Sequence, residues 1–243
     1  MMFKSLFVWI CALTSLSAMA QHFEKDTFAT SEGELVITHI GHGTLMMEFG
    51  GKVIHIDPYS RVADYSLLPK ADLILVTHHH GDHLDTEAVE KIRKSDTEIV
   101  LSELCLPKLP QGKVMNNDGS GIYKGIRIDA IPAYNIRHER SPGNPYHVPG
   151  EGNGYILYPG GLKVYVAGDS ENTPEMKALR DIDIAFLAMN LPYTMTPEMV
   201  ADAALSFRPK VLFPYHFGNA DTGKLLELLK NEKDIEVRIR NKQ

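Results

Sequence analysis

The sequence predicts an α/β domain in which sheets form the inner layers and helices the outer ones. Three observations lead there. Strand-length apolar or alternating runs recur between residues 35 and 239, punctuated by glycine pairs. Helical patterns are interspersed among them. No solenoid repeat and no linker divides the 243 residues, a length that supports one large core.

Taken in order, residues 35–40, 44–49 and 52–56 follow a polar lead-in and read as successive short strands. Gly41 and Gly43 punctuate them, and Gly50-Gly51 marks a hairpin turn. Asp57-Pro58 ends the third strand, and residues 61–68 connect onward without a clear period. The run at 73–76, Leu-Ile-Leu-Val, is too uniformly apolar for a strand with one wet face; it suits a strand covered on both. Residues 86–94 read as a helix with Ala88, Val89 and Ile92 on one face, and 98–101 as a returning strand. Residues 125–131 alternate as a further strand. A loop rich in proline, glycine and histidine then runs from 132 to 152, and structureless loops of that length are often functional. Residues 155–158, 162–167 and 182–188 are strands, with Gly160-Gly161 as a second hairpin signal. Residues 197–207 form a helix with Thr196 as N-cap and Pro197 in its first turn. An apolar strand at 210–214, a helix at 222–230 and a strand at 235–239 complete the chain.

The first twenty residues stand apart from this pattern. Lys4 precedes an apolar run at 6–13, too short to span a bilayer comfortably, and Ala18-Met19-Ala20 supplies the small residues a signal peptidase reads. Residues 1–20 therefore read as a secretory signal peptide and 21–243 as the mature domain, exported to the periplasm or the medium with no stable membrane span. Cys11 would leave with the signal, so Cys105 remains alone and no internal disulfide is expected. Set among Leu104, Leu106 and Pro107, Cys105 reads as a buried inert thiol rather than a nucleophile. A formal net charge of -6 argues against nucleic acid as the main partner and leaves a small-molecule substrate.

Polarity switches at Thr77, directly after the buried strand. Four metal-ligand types follow within six residues: His78, His80, Asp82 and His83. Side chains two apart on an extended segment point the same way, so His78 and His80 are able to share one cation. Gly81 permits a bend that swings Asp82 and His83 toward a second position. Imidazole nitrogen combined with carboxylate oxygen suits zinc, iron or manganese better than calcium. Two later strands also end on such residues, Asp169 after Val164-Tyr165-Val166-Ala167-Gly168 and His216 after Val211-Leu212-Phe213-Pro214-Tyr215. Taken alone, each is more often a turn former or a hydrogen-bonded partner.

The motif His78-His79-His80-Gly81-Asp82-His83, followed by Ala167-Gly168-Asp169 and Pro214-Tyr215-His216, resembles the metallo-β-lactamase superfamily. Ile40-Gly41-His42 and Ile56-Asp57-Pro58 extend the resemblance over nearly the whole mature chain. The segment Asn190-Leu191-Pro192-Tyr193-Thr194-Met195 looks like the branch that includes ascorbate-6-phosphate lactonase-like proteins. The resemblance implies a four-layered αβ/βα sandwich with two divalent metal ions, zinc first and manganese or iron otherwise, at one edge between two sheets. It implies that His78 and His80 bind one metal, that Asp82, His83 and His216 bind the other, and that Asp169 bridges. Asp57 would orient a ligand histidine from behind; its other reading is a turn residue before proline. His42 either lines the pocket or is a hydrogen-bonded turn residue.

One departure stands out. Where the superfamily usually supplies another histidine to the first metal, this chain has Ala133-Tyr134-Asn135, and asparagine is a poor zinc ligand. The long loop offers His138 and His147 as substitutes. His147 is favoured, because His147-Val148-Pro149-Gly150 followed by Gly152 and Gly154 resembles a loop motif of this branch. With neither, the first site would be weak or empty. The activity so implied is hydrolysis by a metal-bound hydroxide, with Asp82 both ligand and proton shuttle. A lactone or phosphoester is the expected substrate. A β-lactam, or a non-hydrolytic metal-binding or redox role on the same fold, is the alternative.

Overall fold

The computed structural model describes residues 21–240, and the expected signal peptide at 1–20 lies outside them. One seven-stranded sheet runs in spatial order through β1 (Glu24–Thr30), β2 (Gly33–Gly41), β3 (Thr44–Phe49), β4 (Lys52–Ile56), β5 (Leu73–Val76), β6 (Glu98–Leu101) and β7 (Lys113–Val114). A second is built from β8 (Ser120–Tyr123) and β9 (Ile126–Ala133). After a small ribbon, β10 (Glu139–Ser141) and β11 (Asn144–Pro145), it continues with β12 (Gly152–Leu157), β13 (Val164–Val166), β14 (Ile184–Ala188), β15 (Val211–Tyr215) and β16 (Glu236–Val237). Its spatial order is β16-β15-β14-β13-β12-β9-β8. The helices are α1 (Thr86–Ile92), α2 (Pro174–Lys177), α3 (Pro197–Phe207) and α4 (Thr222–Leu229).

Alternation along the strands sorts the apolar residues into three cores. Leu73 and Leu75 of β5 face inward, against Ile128, Val166, Phe186 and Phe213 of the opposite sheet. Ile74 and Val76 face outward, against Ala88, Val89 and Ile92 of α1. On the far side, Leu187 and Leu212 meet Val200, Phe207 and Leu225 of α3 and α4. Helix, sheet, sheet, helix is the observed order, the four-layered αβ/βα sandwich the sequence resemblance implies. Strand β5 is buried on both faces, as its uniform run predicts, and pairs in parallel with β4 and β6.

Two expectations are corrected. The polar lead-in contains β1, an edge strand whose side chains are mostly exposed or half-exposed and so leave no apolar pattern. Pairing with β2 over its full length holds it, together with buried Asp26, which meets His39 (2.8 Å), Arg238 (3.0 Å) and Arg240 (2.8 Å). The loop at 132–152 is partly ordered, holding the end of β9, the β10–β11 ribbon and the start of β12. Both glycine hairpins form; Gly50 and Gly51 have φ of 55° and 71°, the left-handed pair such a turn needs.

His55 lies within β4 with no solvent exposure, its Nε2 donating to the Pro69 carbonyl at 3.0 Å. Burial pushes its pKa down from 6.5 to about 4. The unfolded chain therefore binds a proton that the folded chain refuses, and stability falls as pH drops from 6.5 toward 4. The loss attributable to this residue is about 3 kcal/mol. In urea unfolding at both ends of that range, wild type is expected to lose about that much more than His55→Leu. Parallel losses would contradict the assignment.

Candidate metal centre

Asp57 directly follows β4 and is fully buried. Its Oδ1 accepts the Thr77 backbone N–H (2.7 Å), and its Oδ2 accepts the Thr77 hydroxyl (2.6 Å) and His83 Nδ1 (2.8 Å). With its proton given to Asp57, the Thr77 oxygen accepts from His78 Nδ1 at 2.9 Å. One carboxylate thus sets two rings, and each turns its Nε2 the other way. Thr77 also packs on Gly168, where φ is +64° and an added Cβ would stand 3.0 Å from the threonine Cβ.

The ends of β5, β13 and β15 deliver most of the remaining groups to this edge; His42 follows β2, and His147 comes from the loop between β11 and β12. Ligand atoms of His78, His80 and His147 lie within 4.8 Å of one another, as do those of His42, Asp82, His83 and His216, and those of His78, His83 and Asp169. Asp169 stands between the groups. Its Oδ1 is 3.4 Å from His83 Nε2 and 3.6 Å from His216 Nε2; its Oδ2 is 3.4 Å from His147 Nε2. Asp82 Oδ2 is 2.8 Å from His42 Nε2 and 3.5 Å from His216 Nε2.

Nε2 of His83, His147 and His216 and Oδ1 of Asp169 are buried with no hydrogen-bond partner. Each such atom costs roughly 1–3 kcal/mol if left unmatched, and these four gather on the two sides of the Asp169 carboxylate. They are nitrogen and carboxylate oxygen, a donor set that divalent transition metals take. The residues fit cations.

Electrostatics divide the cluster. Burial holds the His78, His80 and His147 imidazoles below their usual range, His80 at about 4, so these rings are uncharged at neutral pH. Burial also disfavours a charged His83, but Asp169 and Asp57 outweigh it and hold that ring well above its usual range. In Asp82, burial would raise the carboxyl, yet the neighbouring imidazoles of His216, 3.5 Å away, and His42, bonded at 2.8 Å, keep it well below.

His78, His80, Asp82, His83, His147, Asp169 and His216 lie together in this cluster, with Asp57 directly behind it. His42, left between two readings, bonds Asp82 and packs at a tilt on His216 with ring centroids 3.8 Å apart. His147, not His138, joins His78 and His80; His138 Nδ1 instead meets Glu171 Oε1 at 2.5 Å. Asn135 accepts from the His147 ring at 2.7 Å. Sequence reasoning misses Glu171 entirely, because a glutamate two residues beyond Asp169 carries no signal of burial. Three site residues, His42, Asp57 and His216, hold left-handed φ of 52°, 47° and 51°. Strain of this kind persists only where surrounding contacts enforce it. Here the His216 N–H donates to the His42 carbonyl at 2.9 Å, tying two of the three together.

The model of the Beta-lactamase superfamily domain matches residues 36–216. The chain belongs to the β-lactamase superfamily. A UPF0173 metal-dependent hydrolase of Thermococcus kodakarensis is 32% identical over 194 residues, 74% of this chain and 84% of that protein. Another from Thermococcus onnurineus is 31% identical over 218 residues, 82% and 94% of the two chains. A crystal structure from Parabacteroides distasonis, described as that of a metal-dependent hydrolase, has 49% identity and a TM-score of 0.87, covering 91% of this chain and 100% of that one. This superfamily member is a metal-dependent hydrolase. CmlA, a diiron β-hydroxylase of Streptomyces venezuelae, shares the fold alone, at 15% identity and a TM-score of 0.66 over 86% of this chain and 53% of its own.

The site tolerates little added bulk at Gly43. A Cβ there would stand 2.8 Å from His83 Cε1 and 3.1 Å from His216 Cδ2. Gly43→Ala is expected to displace both rings and weaken metal binding at least about tenfold, read by competition with a chromophoric chelator. Unchanged affinity would mean that neither ring position matters to the metal.

Proposed function

We propose that the protein is an exported hydrolase that opens a lactone or phosphoester with two divalent cations, most naturally zinc. In this reading His78, His80 and His147 would hold one cation and Asp82, His83 and His216 the other, with Asp169 available to both. The convergence of unpartnered buried nitrogens and carboxylate oxygen is the observation that carries it. So held, the cations would supply a water whose pKa is lowered to about 7 and would polarise the substrate's oxygen. Asp57 keeps His83 and, through Thr77, His78 turned toward the centre. Asp82, partly open to solvent and backed by His42, takes the proton of the attacking water and returns it to the leaving group.

Substrate approach is favoured from the Asp82 side. A cleft of about 480 Å³ there is lined by His42, Tyr59, Ser60, Arg61, Asp82 and Asp85, whereas the cavity against His78, His80 and His147 is only about 10 Å³. Ser60 and Asp85 bond one another. Arg61 is exposed and has no carboxylate partner among the described residues. A cation in the open cleft supports an anionic substrate, a phosphoester or a lactone bearing an acidic group.

Turnover of such substrates should vanish on chelation and return with zinc or manganese; chelator-resistant turnover would refute the reading. A panel of lactone, phosphodiester and β-lactam substrates separates the classes, and iron with oxygen consumption would favour redox chemistry instead. Arg61→Ala should raise KM about 10–100-fold for the anionic substrate with kcat little changed. An unaltered KM removes Arg61 from recognition. Export is supported by Lys4, the apolar run that follows it and Ala18-Met19-Ala20. N-terminal sequencing of the exported fraction should begin near Gln21, and a chain retained with Met1 would contradict it.

A further inference from the structure

Asn135 stands where the superfamily resemblance would put a metal-binding histidine, and its chemistry assigns it different work. The side chain is buried, 4% exposed. Its Oδ1 accepts both the backbone N–H of His147 (2.8 Å) and the ring Nδ1 of His147 (2.7 Å). Its Nδ2 donates to Glu171 Oε1 (3.1 Å) and to the Tyr193 carbonyl (2.9 Å). The Asn135 backbone N–H donates in turn to the His147 carbonyl at 3.0 Å. Both lone pairs and both protons of the amide are therefore used, and none is left for a cation.

The direction of every bond follows from that inventory. Glu171 and a carbonyl only accept, so the amide nitrogen must face them and the amide oxygen must face His147. An oxygen that only accepts requires a proton on His147 Nδ1, which leaves Nε2 as a bare lone pair. That Nε2 is buried without a hydrogen-bond partner and lies 3.4 Å from Asp169 Oδ2. The far end of the chain of bonds is equally fixed. Glu171, with no exposure, accepts three consecutive backbone N–H groups, those of Ile136 (2.7 Å), Arg137 (2.7 Å) and His138 (2.9 Å).

We propose that Asn135 is a positioning residue: anchored by Glu171, it fixes the tautomer and rotation of His147 so that Nε2 faces the cation. A neutral amide does for His147 what the Asp57 carboxylate does for His83. The inference rests on the proposed role of His147 as a ligand.

Two measurements test it. Long-range ¹⁵N–¹H NMR of the metal-free wild-type protein should show the His147 proton on Nδ1; an Nε2–H tautomer would overturn the proposal, and no variant needs to fold for this result. The second is a double-mutant cycle in zinc affinity, by chelator competition, over wild type, Asn135→Ala, His147→Ala and the pair. Asn135→Ala should weaken one cation about 10–100-fold. In the His147→Ala background it should cost nothing further, because its action passes through that ring. Equal losses in both backgrounds would reduce Asn135 to loop support and overturn the proposal. Unchanged zinc affinity in His147→Ala would instead sink the ligand role of His147 itself, a separate failure.

Discussion

Beneath the convergent histidines sits a carboxylate with no access to water. Asp57 reaches that position because β4 runs in parallel beside β5, so the residues following the two strands emerge together. Burying an ionised group is costly by several kcal/mol unless every lone pair is engaged. Asp57 is engaged three times, by the Thr77 N–H, the Thr77 hydroxyl and His83. Those bonds determine which nitrogen of His83 faces Asp57 and which nitrogen of His78 faces Thr77. Rotating either ring would strand a buried donor, so the orientation of two ligand-type rings is dictated from behind rather than by whatever occupies the front.

The rest of the fold brings other strand ends to the same edge. Parallel pairing of β13, β14 and β15 places Asp169 and His216 opposite the histidine-rich loop that follows β5. The two sheets face each other across one apolar core, so strand ends distant in sequence become neighbours. Left-handed backbone at His42, Asp57 and His216 is the local cost of that convergence. Gly43 and Gly168 supply the close approach that a side chain would block.

What can be read from the sequence follows the range of each interaction. His78, His80, Asp82 and His83 are legible because their spacing along one short segment carries the signal. Asp169 and His216 are legible only as residues at strand ends, and gain meaning from the order of the motifs. Strand β1 is not legible, since a polar edge strand is held by pairing rather than by an apolar face. Helix α2 carries a usable signal that the strand-centred reading leaves out: Thr173-Pro174-Glu175-Met176 repeats Thr196-Pro197-Glu198-Met199, the N-terminal signature of α3. The bonds among Glu171, Asn135 and His147 join residues 12 and 36 apart and leave no local trace. In the sequence Asn135 reads as a lost ligand, yet in the fold it contacts the histidine favoured to replace it.

The metal centre depends on where cations bind and on what stands behind their ligands. Crystals grown with zinc, read by anomalous diffraction, test this most directly. Two peaks are predicted, one about 2.0–2.2 Å from ligand atoms of His78, His80 and His147, the other as close to Asp82, His83 and His216, with Asp169 between them. His83 Nδ1 should remain on Asp57. Zinc bound elsewhere, or His83 turned away from Asp57 to reach it, would contradict this arrangement.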